Sequence, residues 1–222
     1  MNIDKKDLTL YAVTDSHWLD GRSLAEQVQE AIAGGVTCVQ LREKNVTDEE
    51  RERIALEVQK VCKDHKIPFL IDDDVDLVRK IDADGVHVGQ SDMEAENVRK
   101  ILGPHKIIGV TAKTVEQAKR AEAMGADYLG VGAAFPTGTK KDTYVIEHKV
   151  YKAISEAVKI PIIAIGGITQ ENVTELNGSG IAGVAVVSAI FAADDITDAA
   201  SRLKATVSEM VDLNNMLYNK GE

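Results

Sequence analysis

The sequence predicts an α/β protein: one (β/α)8 barrel of the TIM type over residues 1–222, with its active site at the C-terminal ends of the strands. Three observations carry this. Short β-rich runs alternate with amphipathic helical stretches from end to end, so each strand is followed by a crossover and the strands must be parallel. The units repeat: DADGVHVG, MGADYLGVG and GSGIAGVAV each set a small or acidic turn before a strand. An open doubly wound sheet gives the same alternation, but no dinucleotide-type GxGxxG follows the first strand.

The elements follow in order. A first strand over 8–13 precedes the helical pattern SLAEQVQEAIA from Ser23. A second strand over 36–41 precedes EERERIALEVQKVCKDH from Glu49, and a third over 69–71 leads to a helix from Val75. Strands over 85–88, 106–110 and 128–131 precede MEAENVRKIL from Met93, VEQAKRAEAM from Val115 and VYKAISEAV from Val150. The seventh strand, over 162–165, leads to ENVTELN from Glu171; the eighth, over 183–187, leads to a closing helix from Ile196 to about Leu217. Ser23 with Glu26 and Thr47 with Glu50 fit capping boxes. Gly34, Gly125 and Gly178 stand where helices should end in a left-handed residue. The chain from about Asn214 reads as a polar, frayed tail.

With 222 residues, a single domain with a full core is expected. The formal net charge of -10 argues against non-specific binding to nucleic acid or an anionic membrane, although a small anion needs only local positive charge. Cys38 and Cys62 match no metal-ligand spacing and read as buried, reduced thiols. The segment MNIDKKDLTLYAV has no apolar signal core, and no apolar run is long enough to span a membrane, so a soluble cytoplasmic protein is expected. A homo-oligomer is an expectation from the barrel class alone.

Candidate chemistry gathers at the predicted strand ends. After strand two, alternation puts Gln40, Arg42 and Lys44 on one side if the strand continues that far, and two cations with an amide can hold a diphosphate. A solvated charged loop is the competing reading. Strand three ends in Asp72, Asp73 and Asp74, and strand four leads to Asp92. Carboxylates crowded together call for a cation, and hard oxygen ligands suit Mg²⁺. One of these aspartates can cap the following helix while Asp73 and Asp92 form the metal pair. His87, inside strand four, reads as a satisfied core residue. Thr111 places a hydroxyl at the end of strand five or caps the next helix.

GAAFPTGTKK after strand six, with Thr137, Thr139 and Lys140, suits a phosphate-closing loop, with a plain surface loop as the competing reading. Gly167 after strand seven, with Val187 and Ser188 after strand eight, falls where barrels of this class bind a phosphate monoester through backbone amides. A diphosphate–metal side facing a monophosphate side suggests group transfer between two phosphorylated substrates.

With those residues in view, the chain resembles the thiamine phosphate synthase family over nearly its whole length. The resemblance rests on YAVTD, QLREK, the strand-three acidic pair, DGVHVGQSD, GVTAKT, GVGAAFPTGTKKD, IGGI and VVSAI, in that order. It implies a cytoplasmic transferase that condenses 4-amino-2-methyl-5-hydroxymethylpyrimidine diphosphate with 4-methyl-5-(2-phosphoethyl)thiazole, or its carboxylate form, by a dissociative, Mg²⁺-assisted displacement. It also implies that Gln40, Arg42, Lys44 and Lys140 hold the diphosphate and that Asp73 and Asp92 bind Mg²⁺. Asp72 would adjoin the diphosphate, and Thr111 would lie by the pyrimidine. Thr137, Thr139, Gly167, Val187 and Ser188 would hold the thiazole phosphate. Three positions depart from the family pattern: Asp72 stands where asparagine is usual, Thr111 for serine and Gly138 for serine. Two other readings are a thiazole-phosphate isomerase, which would not need the diphosphate side, and a non-catalytic sensor of thiazole or thiamine phosphate.

Overall fold

The eight predicted strands pair in sequence order and close on themselves, β1 meeting β8, with every pairing parallel. The structure is a computed structural model and describes residues 2–138 and 144–218. The strands are β1 (Leu10–Val13), β2 (Cys38–Leu41), β3 (Phe69–Asp72), β4 (Gly85–Val88), β5 (Ile107–Ala112), β6 (Tyr128–Gly132), β7 (Ile162–Ile165) and β8 (Gly183–Val186). Around them run α1 (Leu24–Ala33), α2 (Asp48–His65), α3 (Val75–Ile81), α4 (Ala95–Leu102), α5 (Val115–Ala123), α6 (His148–Ala157), α7 (Ser188–Phe191) and α8 (Ile196–Tyr218). The barrel is therefore closed, as the repeat pattern predicts. Among the described residues, no helix is long and apolar enough to cross a membrane.

Strand alternation divides the core in two. One cluster, including Leu10, Val39, Ile71, Val86 and Leu129, packs between the strands and the helices. The other fills the barrel itself with Tyr11, Cys38, Leu70, Ile107 and Tyr128, inward positions of β1, β2, β3, β5 and β6, together with Leu8 just before β1. Cys38 and Cys62 are both buried and free.

The repeated acidic turns explain themselves at the bottom of the barrel. Asp84, just before β4, accepts the Phe69 N–H of β3 at 2.9 Å, and Asp127, just before β6, accepts that of Ile108 in β5 at the same distance. Each carboxylate thus satisfies a backbone donor at the entry of the preceding strand. Asp127 is also paired with Arg99 at 2.7 Å and accepts the Asn2 N–H at 2.9 Å.

Several local expectations are corrected. Residues 173–176 form only a 3-10 turn (Val173–Leu176) in place of the helix expected from ENVTELN, where the Thr169 hydroxyl and the Asn172 amide bond to nearby backbone groups in competition with a helical ladder. Gly34 is right-handed (φ -79°), and the left-handed residue is Gly35 (φ 103°). Gly34 is required instead by close packing: a Cβ there would lie 2.4 Å from the Thr197 carbonyl oxygen. The Ser23–Glu26 capping box forms in both directions, whereas Thr47 only accepts the Glu50 N–H. The chain does not fray at Asn214. Helix α8 continues to Tyr218, and buried Asn214 accepts the Gly178 N–H at 2.8 Å while donating to the Ile181 carbonyl at 3.2 Å.

Candidate active site

The mouth at the C-terminal strand ends is organised around Asp72, the last residue of β3. Gln40, buried in β2, donates its amide Nε2 to Asp72 Oδ1 at 2.7 Å and accepts the Tyr11 hydroxyl at 2.9 Å. Strand β2 ends at Leu41, so strand alternation does not carry Arg42 and Lys44 to the mouth, contrary to expectation. Thr14 does part of that work: its Oγ1 accepts the Arg42 N–H at 3.0 Å and donates to Glu43 Oε1 at 3.1 Å. Both cations then converge on Asp72 Oδ2, Lys44 Nζ at 2.7 Å and Arg42 Nε at 3.8 Å, and Lys44 also reaches Asp73 Oδ2 at 2.6 Å. Burial works to lower the Lys44 pKa, but the hydrogen bonds to Asp72 and Asp73 outweigh it and hold the ammonium above its ordinary range. Burial pushes the Glu43 carboxyl up, against the hydrogen bonds from Ser16 and Thr14.

The aspartate run divides its labour. Asp74 caps α3, its Oδ1 accepting the Leu77 N–H at 2.9 Å. Asp73 is held in a left-handed conformation (φ 61°), with its N–H donated to the His87 carbonyl at 2.9 Å. Asp92 Oδ2 accepts the Gly89 N–H at 2.7 Å. Burial first, and then the adjacent Asp73 carboxyl, hold Asp92 above the usual carboxylate range. Two carboxyls so close repel unless a proton or a cation lies between them. Among the described residues no group of three or more His, Cys, Asp or Glu side chains is gathered to hold a metal. The neighbouring Asp73 and Asp92 carboxyls are a donor pair that fits a hard cation such as Mg²⁺, which commonly takes one or two carboxylates and completes its shell with phosphate oxygens and water. A cleft of about 410 Å³ opens beside it, lined by Lys44, Arg51, Asp72, Asp73, Asp76 and Met93.

Thr111 lies within β5, which runs two residues further than predicted, and its hydroxyl meets His87 Nε2 at 3.0 Å. It does not cap α5; Thr114 does, accepting the Gln117 N–H at 3.2 Å. His87 is a satisfied core residue, with Nδ1 2.9 Å from the Tyr128 hydroxyl. The sequence reading missed Tyr11 and Tyr128, which join this group: their hydroxyls are 2.9 Å apart inside the barrel. A usable signal was present. Tyrosines at inward strand positions need space in a filled barrel, and Gly109 supplies it, since a Cβ there would lie 2.2 Å from Tyr128 Cζ. Gly130 does the same for His87, whose Cε1 would be 2.9 Å away.

On the opposite side of the mouth, Gly166 (φ 100°) and Gly167 (φ 66°) turn the chain after β7. A Cβ on Gly167 would lie 2.4 Å from the Pro136 carbonyl oxygen, so the loop carrying Thr137 rests directly on this turn. The Phe135 N–H donates to the Gly166 carbonyl at 3.0 Å, and the Asn172 amide donates to the Gly167 carbonyl at 2.9 Å. Val187 is the N-cap of α7, and Ser188, its first residue, is exposed. Thr139 and Lys140 lie outside the described residues.

Fold and mouth together define a (β/α)8 barrel with acidic and cationic groups on one side of the mouth and a glycine-turned backbone on the other. Comparison with known proteins makes this specific. The family model described as thiamine monophosphate synthase matches residues 10–190, and the chain belongs to that family. It is 47% identical over 203 residues to a thiamine-phosphate synthase of Clostridium tetani, covering 91% of this chain and 97% of the relative. It is 46% identical over 187 residues to one of Methanobrevibacter smithii, covering 84% and 89%. The solved thiamine phosphate pyrophosphorylase of Pyrococcus furiosus superposes with a TM-score of 0.85 at 38% identity, covering 93% of this chain and 98% of that one.

Proposed function

We propose that the chain joins 4-amino-2-methyl-5-hydroxymethylpyrimidine diphosphate to 4-methyl-5-(2-phosphoethyl)thiazole, giving thiamine phosphate and pyrophosphate, with the residues of the mouth in the following roles. The observation that carries the assignment is the convergence of Gln40, Arg42 and Lys44 on Asp72 and Asp73, beside Asp92. That arrangement makes a leaving-group side, and family membership supplies the reaction. Asp73 and Asp92 would hold Mg²⁺, which when bound would neutralise charge building on the departing diphosphate.

In this reading the bond between the pyrimidine methylene carbon and the diphosphate oxygen breaks, and both electrons leave with pyrophosphate. The thiazole nitrogen then forms the new bond to that carbon, and the positive charge passes to the thiazolium ring. Arg42, Lys44 and Lys140 stabilise the leaving group by charge-assisted hydrogen bonds, and Gln40 orients the assembly through Asp72. Thr111 meets the pyrimidine. Thr137, Thr139, Gly167, Val187 and Ser188 hold the thiazole phosphate, so the nucleophilic nitrogen is positioned rather than activated. No side chain forms a covalent intermediate. The partners are two small phosphorylated molecules in the cytoplasm, with no nucleic acid or membrane; the net charge of -10 is consistent with that. Homo-oligomerisation is part of the same reading.

A pyrophosphate-release assay with each substrate alone and both together, with and without Mg²⁺, tests it. Release that needs both substrates and the metal is expected. Binding of thiazole phosphate without turnover would replace this reading by that of an isomerase or a sensor.

A further inference from the structure

A chain of hydrogen bonds crosses the barrel interior below the mouth: Asp72, Gln40, Tyr11, Tyr128, His87 and Thr111. Its links are 2.7, 2.9, 2.9, 2.9 and 3.0 Å. Donor inventory fixes the direction of each link once one end is fixed. Asp72 Oδ2 is ion-paired with Lys44 at 2.7 Å, so the group is a carboxylate and can only accept. Gln40 must therefore turn its NH₂ to Asp72 and its carbonyl oxygen to Tyr11. The Tyr11 hydroxyl then donates to Gln40. Burial pushes both phenols well above their ordinary range, so each keeps a single hydrogen to give. With the Tyr11 hydrogen committed, Tyr128 donates to Tyr11. The Tyr128 oxygen is then the acceptor for His87, which must carry its proton on Nδ1. In the neutral ring Nε2 is left with a lone pair, and the Thr111 hydroxyl donates to it.

We infer that this one-way chain commits the Thr111 hydroxyl hydrogen to the core, so that Thr111 offers the mouth only a lone pair and selects a ligand with a hydrogen-bond donor there, the exocyclic amino group of an aminopyrimidine. Tyr11, Tyr128 and His87 are positioning residues for that selection. The inference rests on the reading that Thr111 meets the pyrimidine; the direction of the chain does not. Two glycines keep room for the chain: a Cβ on Gly109 or Gly130 would collide with Tyr128 or His87 respectively. Asp72 is what makes the direction single-valued. An amide at that position can face Gln40 with either its oxygen or its nitrogen, and every later link could then reverse.

Two measurements test this. The first is the ¹⁵N spectrum of the histidine side chains in the ligand-free, full-length protein near neutral pH, with His87 assigned by its absence in His87→Gln. A neutral ring protonated at Nδ1 is expected, and Tyr11→Phe should give a mixture of tautomers, because Tyr128 is then free to donate to Nδ1. A wild-type ring protonated at Nε2, or at both nitrogens, overturns the inference. The second is the preference for the 4-amino over the 4-oxo pyrimidine diphosphate as kcat/KM. A site built around a required donor should favour the amino compound by about 10²-fold or more. Tyr128→Phe should reduce the preference to within about tenfold while leaving the KM for thiazole phosphate in place. An unchanged preference in Tyr128→Phe overturns the selection, and Tyr11→Phe serves the same comparison if Tyr128→Phe does not fold. Absence of all turnover in the wild type would overturn the proposed reaction instead, and the tautomer spectrum would still decide the direction of the chain.

Discussion

The Lys44 ammonium lies 2.7 Å from the Asp72 carboxylate, so the cation expected to receive a diphosphate is already engaged by a negative charge from the neighbouring strand. Arg42, at 3.8 Å, leans on the same oxygen. Binding a diphosphate must therefore displace or share these ion pairs, and the added negative charge of Asp72 opposes the incoming anion. Asp72→Asn keeps a hydrogen-bonding partner for Gln40 and removes that charge. The expected result is roughly two- to fivefold tighter binding of inorganic pyrophosphate by calorimetry, since partly exposed pairs of this kind contribute about 1 kcal/mol or less. Weaker binding, together with a higher Mg²⁺ requirement, would mean that Asp72 belongs to the metal site.

Gly167 should separate the two sides of the mouth. Its φ of 66° and the 2.4 Å approach of a Cβ to the Pro136 carbonyl oxygen mean that Gly167→Ala must strain or move the turn that carries the residue 134–138 segment. Strain of this kind costs about 1–3 kcal/mol. We expect the KM for thiazole phosphate to rise about tenfold or more, with the KM for the pyrimidine diphosphate little changed. Equal loss of both would show that the turn supports the whole mouth and not the phosphate alone.

The sequence made the barrel legible because alternation and repetition are properties of the chain itself: eight strands, their order and most of their bounds follow from them. It identified His87 as a core residue and assigned helix capping to the aspartate run, in which Asp74 takes that role. What it could not give was convergence between strands. Arg42, which reaches Asp72, is held by Thr14, 28 residues before it, and not by strand alternation. The tyrosine pair escaped for the same reason, because Tyr11 and Tyr128 are 117 residues apart and meet only once the barrel closes. The polar end of α8 was misread because the burial of Asn214 comes from its contact with the Gly178 turn, which no local pattern encodes.

Asp127 offers a structural control away from the mouth. Its side chain is buried, accepts the Ile108 N–H at 2.9 Å and pairs with Arg99 at 2.7 Å. Asp127→Ala leaves Arg99 and a strand amide without their shared partner. Breaking such a pair costs about 3–5 kcal/mol, at the lower end here because Arg99 is partly exposed. Chemical denaturation should report that loss, while the KM values of the folded fraction stay at wild-type levels. A changed substrate KM would mean that strain at the bottom of the barrel reaches the mouth.

Glu43 gives the pH dependence. Its carboxyl is buried beside Thr14, and burial raises its pKa above the ordinary 4.5. A group that binds its proton more tightly in the folded state stabilises the fold fully below the unfolded pKa and loses that contribution as pH rises through the folded one. Ionised Glu43 is therefore a net cost at neutral pH, partly offset by the Thr14 hydroxyl, which donates to it at 3.1 Å. Glu43→Gln keeps an oxygen for Thr14 and removes the charge. Thermal melts should show the variant more stable than the wild type at pH 7.5, with the gap closing as pH falls and the wild-type carboxyl takes up its proton. If the gap stays constant with pH, the burial of Glu43 carries no ionisation cost. If the variant is less stable at pH 7.5, the charge of Glu43 is needed to hold the Thr14 hydroxyl, and through it the Arg42 backbone, in place.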